Sequence, residues 1–199
     1  VRAILHKHIY FLLAALYFCS CSLFEPRIPE EPSSEGIVWQ DPTSPDIVVE
    51  NMQSALNGSS ALYTNCFSES FVFYADTNDI NEYSGEYNFS GWTLDVESYT
   101  VVSQLFSVVP TDSTVIAVFS IDPENPDPPA PADSVTIFRN YSITVPQSVH
   151  SGTGTPAVGT AVLFMIEDDY GSWTIREWHD TRYLSVSYVT WAVAKAAYR

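Results

Sequence analysis

The chain has 199 residues, 46% of them hydrophobic, which is enough for one domain with a substantial core and little beyond it. Only 8 Lys and Arg stand against 24 Asp and Glu, a formal charge of −16. No basic patch or aromatic-interleaved Lys and Arg stripe offsets that charge, so nucleic acid is excluded as a partner class; the acidity is read as solubility in an extracytoplasmic setting.

Arg2, His6, Lys7 and His8 make a basic start, and Ile9 to Phe18 is an uncharged run of ten residues. As a helix that run spans about 15 Å, half a bilayer core, which fits a signal peptide and not a transmembrane helix. Phe18-Cys19-Ser20-Cys21-Ser22 follows. It resembles the lipobox of bacterial lipoproteins, in which a cysteine after a small residue becomes the lipid-bearing first residue of the mature chain. Cys21 fits because Ser20 is small, whereas Phe18 ahead of Cys19 does not. The resemblance implies a signal over residues 1–20, a membrane anchor through a lipid on Cys21, and a place in the bacterial cell envelope. Ser22, standing where an inner-membrane retention signal has aspartate, favours the outer membrane in a two-membrane cell. After residue 20 the balance is 6 basic against 24 acidic residues. Residues 21–43 carry Pro26, Pro29, Pro32 and Pro42 among several glutamates, a composition that stays extended and suits a tether.

The domain is expected over residues 44–199. Ser44-Pro45-Asp46 reads as a helix start, with Val48, Met52, Ala55 and Leu56 on one face and Gly58 as the stop. A second short helix over about 60–67 pairs Leu62 with Cys66 and Tyr63 with Phe67, and Cys66 reads as a small buried hydrophobe. Phe71 to Ala75 is a strand. Residues 76–85 are rich in Asn and Asp but miss the calcium-loop pattern, because Ile80 and Asn81 fall where a ligand and a glycine belong, so a solvated loop is expected. Thr93 predicts a helix to about Phe106 that buries Val96, Tyr99 and Phe106, with Trp92 fastening its entrance to the sheet.

From residue 114 the period becomes two. Val115, Ala117, Phe119 and Ile121 share a strand face. Residues 122–133 hold five prolines and four acids and can only connect strands. Val135, Ile137, Arg139, Tyr141, Ile143 and Val145 share one face of a long strand. Thr160 to Ile166 and Ser172 to Asp180 form a terminal hairpin. In a regular strand His179 shares a face with Trp173 and Ile175; a bulge near Arg176 or Glu177 instead gathers Trp173, Ile175, Trp178 and Asp180. Thr190 caps a short Ala-rich helix. Helices, one strand, then long antiparallel strands predict an α+β fold with helices packed on one side of a curved sheet.

The order of these elements resembles the nuclear transport factor two-like (SnoaL-like) superfamily. The residues that carry the resemblance are Ser44-Pro45-Asp46, Tyr63 and Phe67, Phe71 and Phe73, Trp92, Gly159-Thr160-Ala161 with Phe164, and Trp173-Thr174-Ile175 with Trp178-His179-Asp180. Thr190-Trp191 and Lys195-Ala196 narrow it to lipoproteins of that superfamily. The resemblance implies a cone-shaped fold, a cavity between helices and sheet used for catalysis or binding, and a homodimer through the sheet. Trp92, Tyr99, Tyr141 and Trp178 are the expected cavity lining. The catalytic candidates are Tyr141, Arg139, Asp180 and His179, since acid-base chemistry needs a proton-moving acid or His and a donor for an oxyanion. The alternative for Arg139 is a structural ion pair with Asp180 or Glu167, and for His179 simple exposure. No cofactor motif is present, and the histidines show no metal-ligand spacing. Three functions remain open: a non-catalytic binder of a small apolar ligand or a protein partner, an isomerase- or dehydratase-like cavity enzyme, and an envelope assembly protein.

Overall fold

The computed structural model describes residues 37–129, 132–146, 155–183 and 188–199. The expected signal, the lipid site Cys21 and the tether up to Gly36 lie outside the described residues. The compact unit runs from Ile37 to Arg199, and residues 37–43, expected in the tether, lie against it. The Asn51 side chain bonds both Gln40 N, at 3.0 Å, and Gln40 O, at 2.7 Å, while Trp173 N donates to Pro42 O at 2.7 Å. No helix among the described residues is long and apolar enough to cross a membrane.

Helix α1, Pro45–Asn57, starts as expected, with Ser44 Oγ accepting from Ile47 N and Val48, Met52, Ala55 and Leu56 buried. Gly58 stops it for a steric reason. Its φ is an ordinary −87°, but a Cβ there would lie 2.6 Å from Ile37 Cδ1; the positive φ of the turn, 47°, falls on Ser59. A 3-10 turn, Ala61–Cys66, buries Tyr63 and Cys66, whose thiol pKa is pushed up by burial, as suits an inert small hydrophobe. Strand β1, Phe67–Tyr74, follows.

The expected solvated loop at 76–85 is instead helix α2, Thr77–Tyr83, capped by Asp76, whose Oδ1 accepts from Asn78 N at 2.7 Å. Its buried residue is Asp79, so apolar periodicity gave no sign of it. After β2, Trp92–Thr93, helix α3 runs Leu94–Glu97, then a π-helical stretch Ser98–Leu105, then Phe106–Val108. It buries Glu97, Thr100, Val101, Leu105 and Phe106; Val96 is half-buried and Tyr99 is 55% exposed. Of the expected residues Phe106 is buried and Val96 packs partly against the core, while Tyr99 turns outward as Glu97 is drawn inside by polar partners.

Strands β3, Ile116–Ile121, β4, Ser134–Thr144, β5, Ala157–Glu167, and β6, Trp173–Thr181, complete a six-stranded sheet in the order β2-β1-β6-β5-β4-β3. Only the β1–β6 pairing is parallel. Glu177 opposes Phe164 while Ile175 opposes Met165, so Arg176 is a bulge, and Trp173, Ile175, Trp178 and Asp180 all face the core. The free edge of β3 is covered by amides of α1. Asn57 exchanges two bonds with the backbone of Ala117, at 2.6 and 3.3 Å, and Gln53 accepts from Phe119 N at 2.8 Å, which occupies groups that would otherwise template another strand. Helix α4, Trp191–Ala196, is buried along its whole length among the elements of the inner face.

Candidate functional site

The alternation of β4 turns Arg139 and Tyr141 inward together, and the bulge in β6 does the same for Asp180. Tyr141 opposes Gly159 and Asp180 opposes Ala161, so two small residues of β5 separate the phenol from the carboxylate. The absence of a side chain at Gly159 is what makes room: a Cβ there would sit 2.5 Å from Tyr141 Oη and 2.6 Å from Thr181 O. The Tyr141 hydroxyl donates to Asp180 Oδ1 at 2.6 Å. Two candidates are therefore brought into direct contact. Burial raises the pKa of Asp180 to about 7, against the hydrogen bonds from Tyr141 and Ala192 N and the Lys195 charge, which lower it. Burial and the neighbouring Asp180 charge push the Tyr141 phenol well above its usual value.

This pair is covered from within. Trp191 N donates to Tyr141 Oη at 2.8 Å and Ala192 N to Asp180 Oδ2 at 2.7 Å, so both groups hold the first turn of α4. Thr190 Oγ1 donates to Asp79 Oδ2 at 2.6 Å, and Asp79 also meets Arg182 at 3.4 Å. Arg182 in turn pairs with Glu82.

Arg139 is sealed in an ion-pair cluster, but with neither expected partner. It binds Asp127 through two bonds, at 2.7 and 2.8 Å, and Asp46 at 2.5 Å, which fastens the proline-rich connection to the first turn of α1. Proline fixes the backbone of residues 126–129, so Asp127 arrives already extended. His179 lies on the other face of the sheet, 49% exposed, stacked on Tyr74 at 4.3 Å with Nε2 2.9 Å from Glu177 Oε2. It does not join Asp180. Tyr99, expected in the lining, points away from the interior.

Trp92 and Trp178 do line the interior, on either side of Phe73 at ring separations of 5.3 and 5.6 Å. The space they enclose is filled by Lys195 of α4, whose Nζ is 2.5 Å from Glu97 Oε2. Glu97 also accepts from Tyr63 Oη and Trp92 Nε1, each at 2.6 Å. Burial lowers the Lys195 pKa while Glu97 opposes that shift, and burial with the Glu97 charge raises Tyr63. Sequence reasoning missed Glu97, Lys195, Asp79 and Arg182. The available signal was a lone lysine flanked by Ala and Val in a capped helix, a pattern that leaves it no polar face to occupy.

At β1 and residues 84–92 lies a groove of about 790 Å³ whose walls include Phe73, Tyr74, Ile80, Tyr87, Phe89 and Trp92.

The sequence matches no protein-family model and no curated protein. Among solved structures the chain is similar to an aromatic ring hydroxylase candidate from Novosphingobium aromaticivorans, with a TM-score of 0.50 at 10% identity over 71% of this chain and 87% of that one. A Mycobacterium tuberculosis protein of unknown function aligns with a TM-score of 0.47 at 15% identity, over 76% and 81% of the two chains. A ketosteroid isomerase-like protein from Erwinia carotovora gives 0.45 at 13%, over 68% and 90%. What is shared is the fold. It is an α+β fold of helices against a curved six-stranded sheet, closed by a C-terminal helix. Fold likeness at such identities does not transfer chemistry.

Proposed function

We propose that the chain is a lipid-anchored, extracytoplasmic and non-catalytic binding module that engages a small apolar ligand or a protein partner through its outer surface. The observation that carries this reading is the closure of the cone. Every polar group suited to acid-base chemistry on the inner face is spent on a structural contact: Tyr141 and Asp180 on α4, Arg139 on Asp46 and Asp127. The groove beside β1 has the apolar and aromatic walls that small-ligand sites have. The anchor rests on the resemblance of residues 18–22 to a lipobox.

Two experiments test the reading. Mass spectrometry of the mature N-terminus should find a diacylglyceryl-modified Cys21, and an unmodified terminus beyond Cys21 refutes the anchor. A thermal-shift screen with apolar and aromatic small molecules should give a ligand whose stabilisation is lost in Tyr74→Ala. Turnover of an enolisable ketone, abolished by Asp180→Asn, would establish the cavity enzyme instead. A second reading has its own support: the outer sheet face carries Phe138 of β4 beside Val162 and Phe164 of β5, an apolar patch bordered by Glu177 and His179 of β6 and suited to a homodimer or an envelope assembly contact. Sedimentation velocity of the intact domain distinguishes it, because a Val162→Asp variant should then dissociate a dimer.

A further inference from the structure

Lys195 is fully buried, and its surroundings exceed what one ion pair requires. Its Nζ lies 3.4 Å from the centroid of the Phe73 ring, 4.7 Å from Trp92, 5.4 Å from Trp178 and 5.9 Å from Trp191, besides its contact with Glu97. Aromatic faces around a cation, closed by a carboxylate, are the means by which proteins recognise organic ammonium groups. The Glu97 carboxyl gathers the indole N–H of Trp92, the Tyr63 hydroxyl and Lys195 Nζ.

The receptor and the occupant come from different parts of the chain. Phe73, Trp92 and Trp178 belong to β1, β2 and β6, Glu97 to α3 and Tyr63 to the 3-10 turn; of the cage, only Trp191 travels with Lys195 on α4. Glu97 is held by Tyr63 and Trp92 independently of the lysine, so its orientation is set before the cation arrives. A buried ion pair is no more stabilising than apolar packing of the same volume, which leaves the cage without a purely structural rationale.

We propose that the interior of the domain is a recognition site for a primary alkylammonium group, occupied in cis by Lys195 of the C-terminal helix. The short contact to Glu97 and the close approach of Phe73 leave no room for N-methyl groups, so the site selects a primary over a quaternary ammonium. In the intact chain an external amine must displace α4 against the contacts at Asp79, Tyr141 and Asp180, so the closed domain is unresponsive at concentrations that fill the vacated site.

The test is chemical rescue in the full domain. Lys195→Ala removes three methylenes and an ammonium, the shape of n-propylammonium. At pH 8 and constant ionic strength, n-propylammonium should raise the melting temperature of Lys195→Ala saturably, by roughly 3–6 °C at ten times its dissociation constant. n-Propanol and a propyltrimethylammonium salt should not, and neither the unaltered chain nor Lys195→Met, whose apolar chain refills the space, should respond. Equal stabilisation by propanol, an equal response in Lys195→Met, or no response in folded Lys195→Ala overturns the proposal. If Lys195→Ala is unfolded alone, the same ligands are added during refolding. Recovery of the near-UV tryptophan signal with the amine alone supports the site, and recovery with none of them overturns it.

Discussion

The raised pKa of Asp180 makes the stability of this domain depend on pH in a direction opposite to that of carboxylates held by ion pairs or hydrogen bonds. With a folded-state value of about 7 against an ordinary 3.8, the folded chain retains between those limits a proton that the unfolded chain has released. Stability therefore falls as pH rises from about 4 to about 7, and the full swing is at most about 4 kcal/mol, from 1.36 kcal/mol per pKa unit. Asp79, also raised by burial, adds to the same trend, while Glu82 and Asp122, both lowered by hydrogen bonds, act the other way at lower pH. The Asp180→Asn variant isolates the effect, because its amide cannot titrate. Urea unfolding of both proteins across pH 4 to 8 should show the advantage of the unaltered chain shrinking by up to about 4 kcal/mol, with the change centred between pH 5 and 7. A difference that is flat with pH would mean that Asp180 is ionised throughout, and the account of its burial would fail.

Glu97→Gln leaves the Lys195 ammonium without its counter-charge in a dry site and should cost about 3–5 kcal/mol, read as a large drop in the urea midpoint. Gly159→Ala forces a methyl group against Tyr141 Oη and Thr181 O, and should destabilise by about 1–3 kcal/mol while shifting the near-UV spectrum of the tyrosines. Asn57→Ala uncovers the N–H and C=O of Ala117 on the β3 edge; about 1–3 kcal/mol of stability should be lost, with concentration-dependent association visible by light scattering.

The legible parts of this fold were those where one face is apolar and the period is regular. The inward row of β4, α1 from its Ser-Pro-Asp start to Gly58, and the cap of α4 at Thr190 follow from pattern and capping chemistry alone. The β6 strand could be read two ways, and only the pairing with β5 shows that Arg176 is the extra residue. The illegible parts share a cause, which is polar groups turned inward. In helix α3 Tyr99 turns outward because the glutamate two residues earlier is held inside, and α2 has no apolar stripe because its inward residue is Asp79. The partners of Arg139 come from residues 46 and 127, 93 and 12 positions away, and no local signal announces either. Tyr141 and Asp180 share the inner face, but the helix that covers them starts eleven residues beyond Asp180, and its one mark is a lysine among small apolar residues.

The charge balance of the interior ties these findings together. Asp79, Glu97 and Asp180 lie against α4 from α2, α3 and β6, while only Lys195 and Arg182 oppose them. Three carboxylates facing two cations in a dry interior would leave one negative charge uncompensated, a state that burial penalises heavily. Glu97 is committed to Lys195 by three donors and Asp79 shares Arg182 with Glu82. The remaining group is Asp180, whose hydrogen-bond partners among the described residues are a phenol and one backbone N–H, with the Lys195 charge further off. It is therefore the carboxyl that burial holds closest to its neutral form, against the bonds from Tyr141 and from Ala192 N of α4, which favour the charged one.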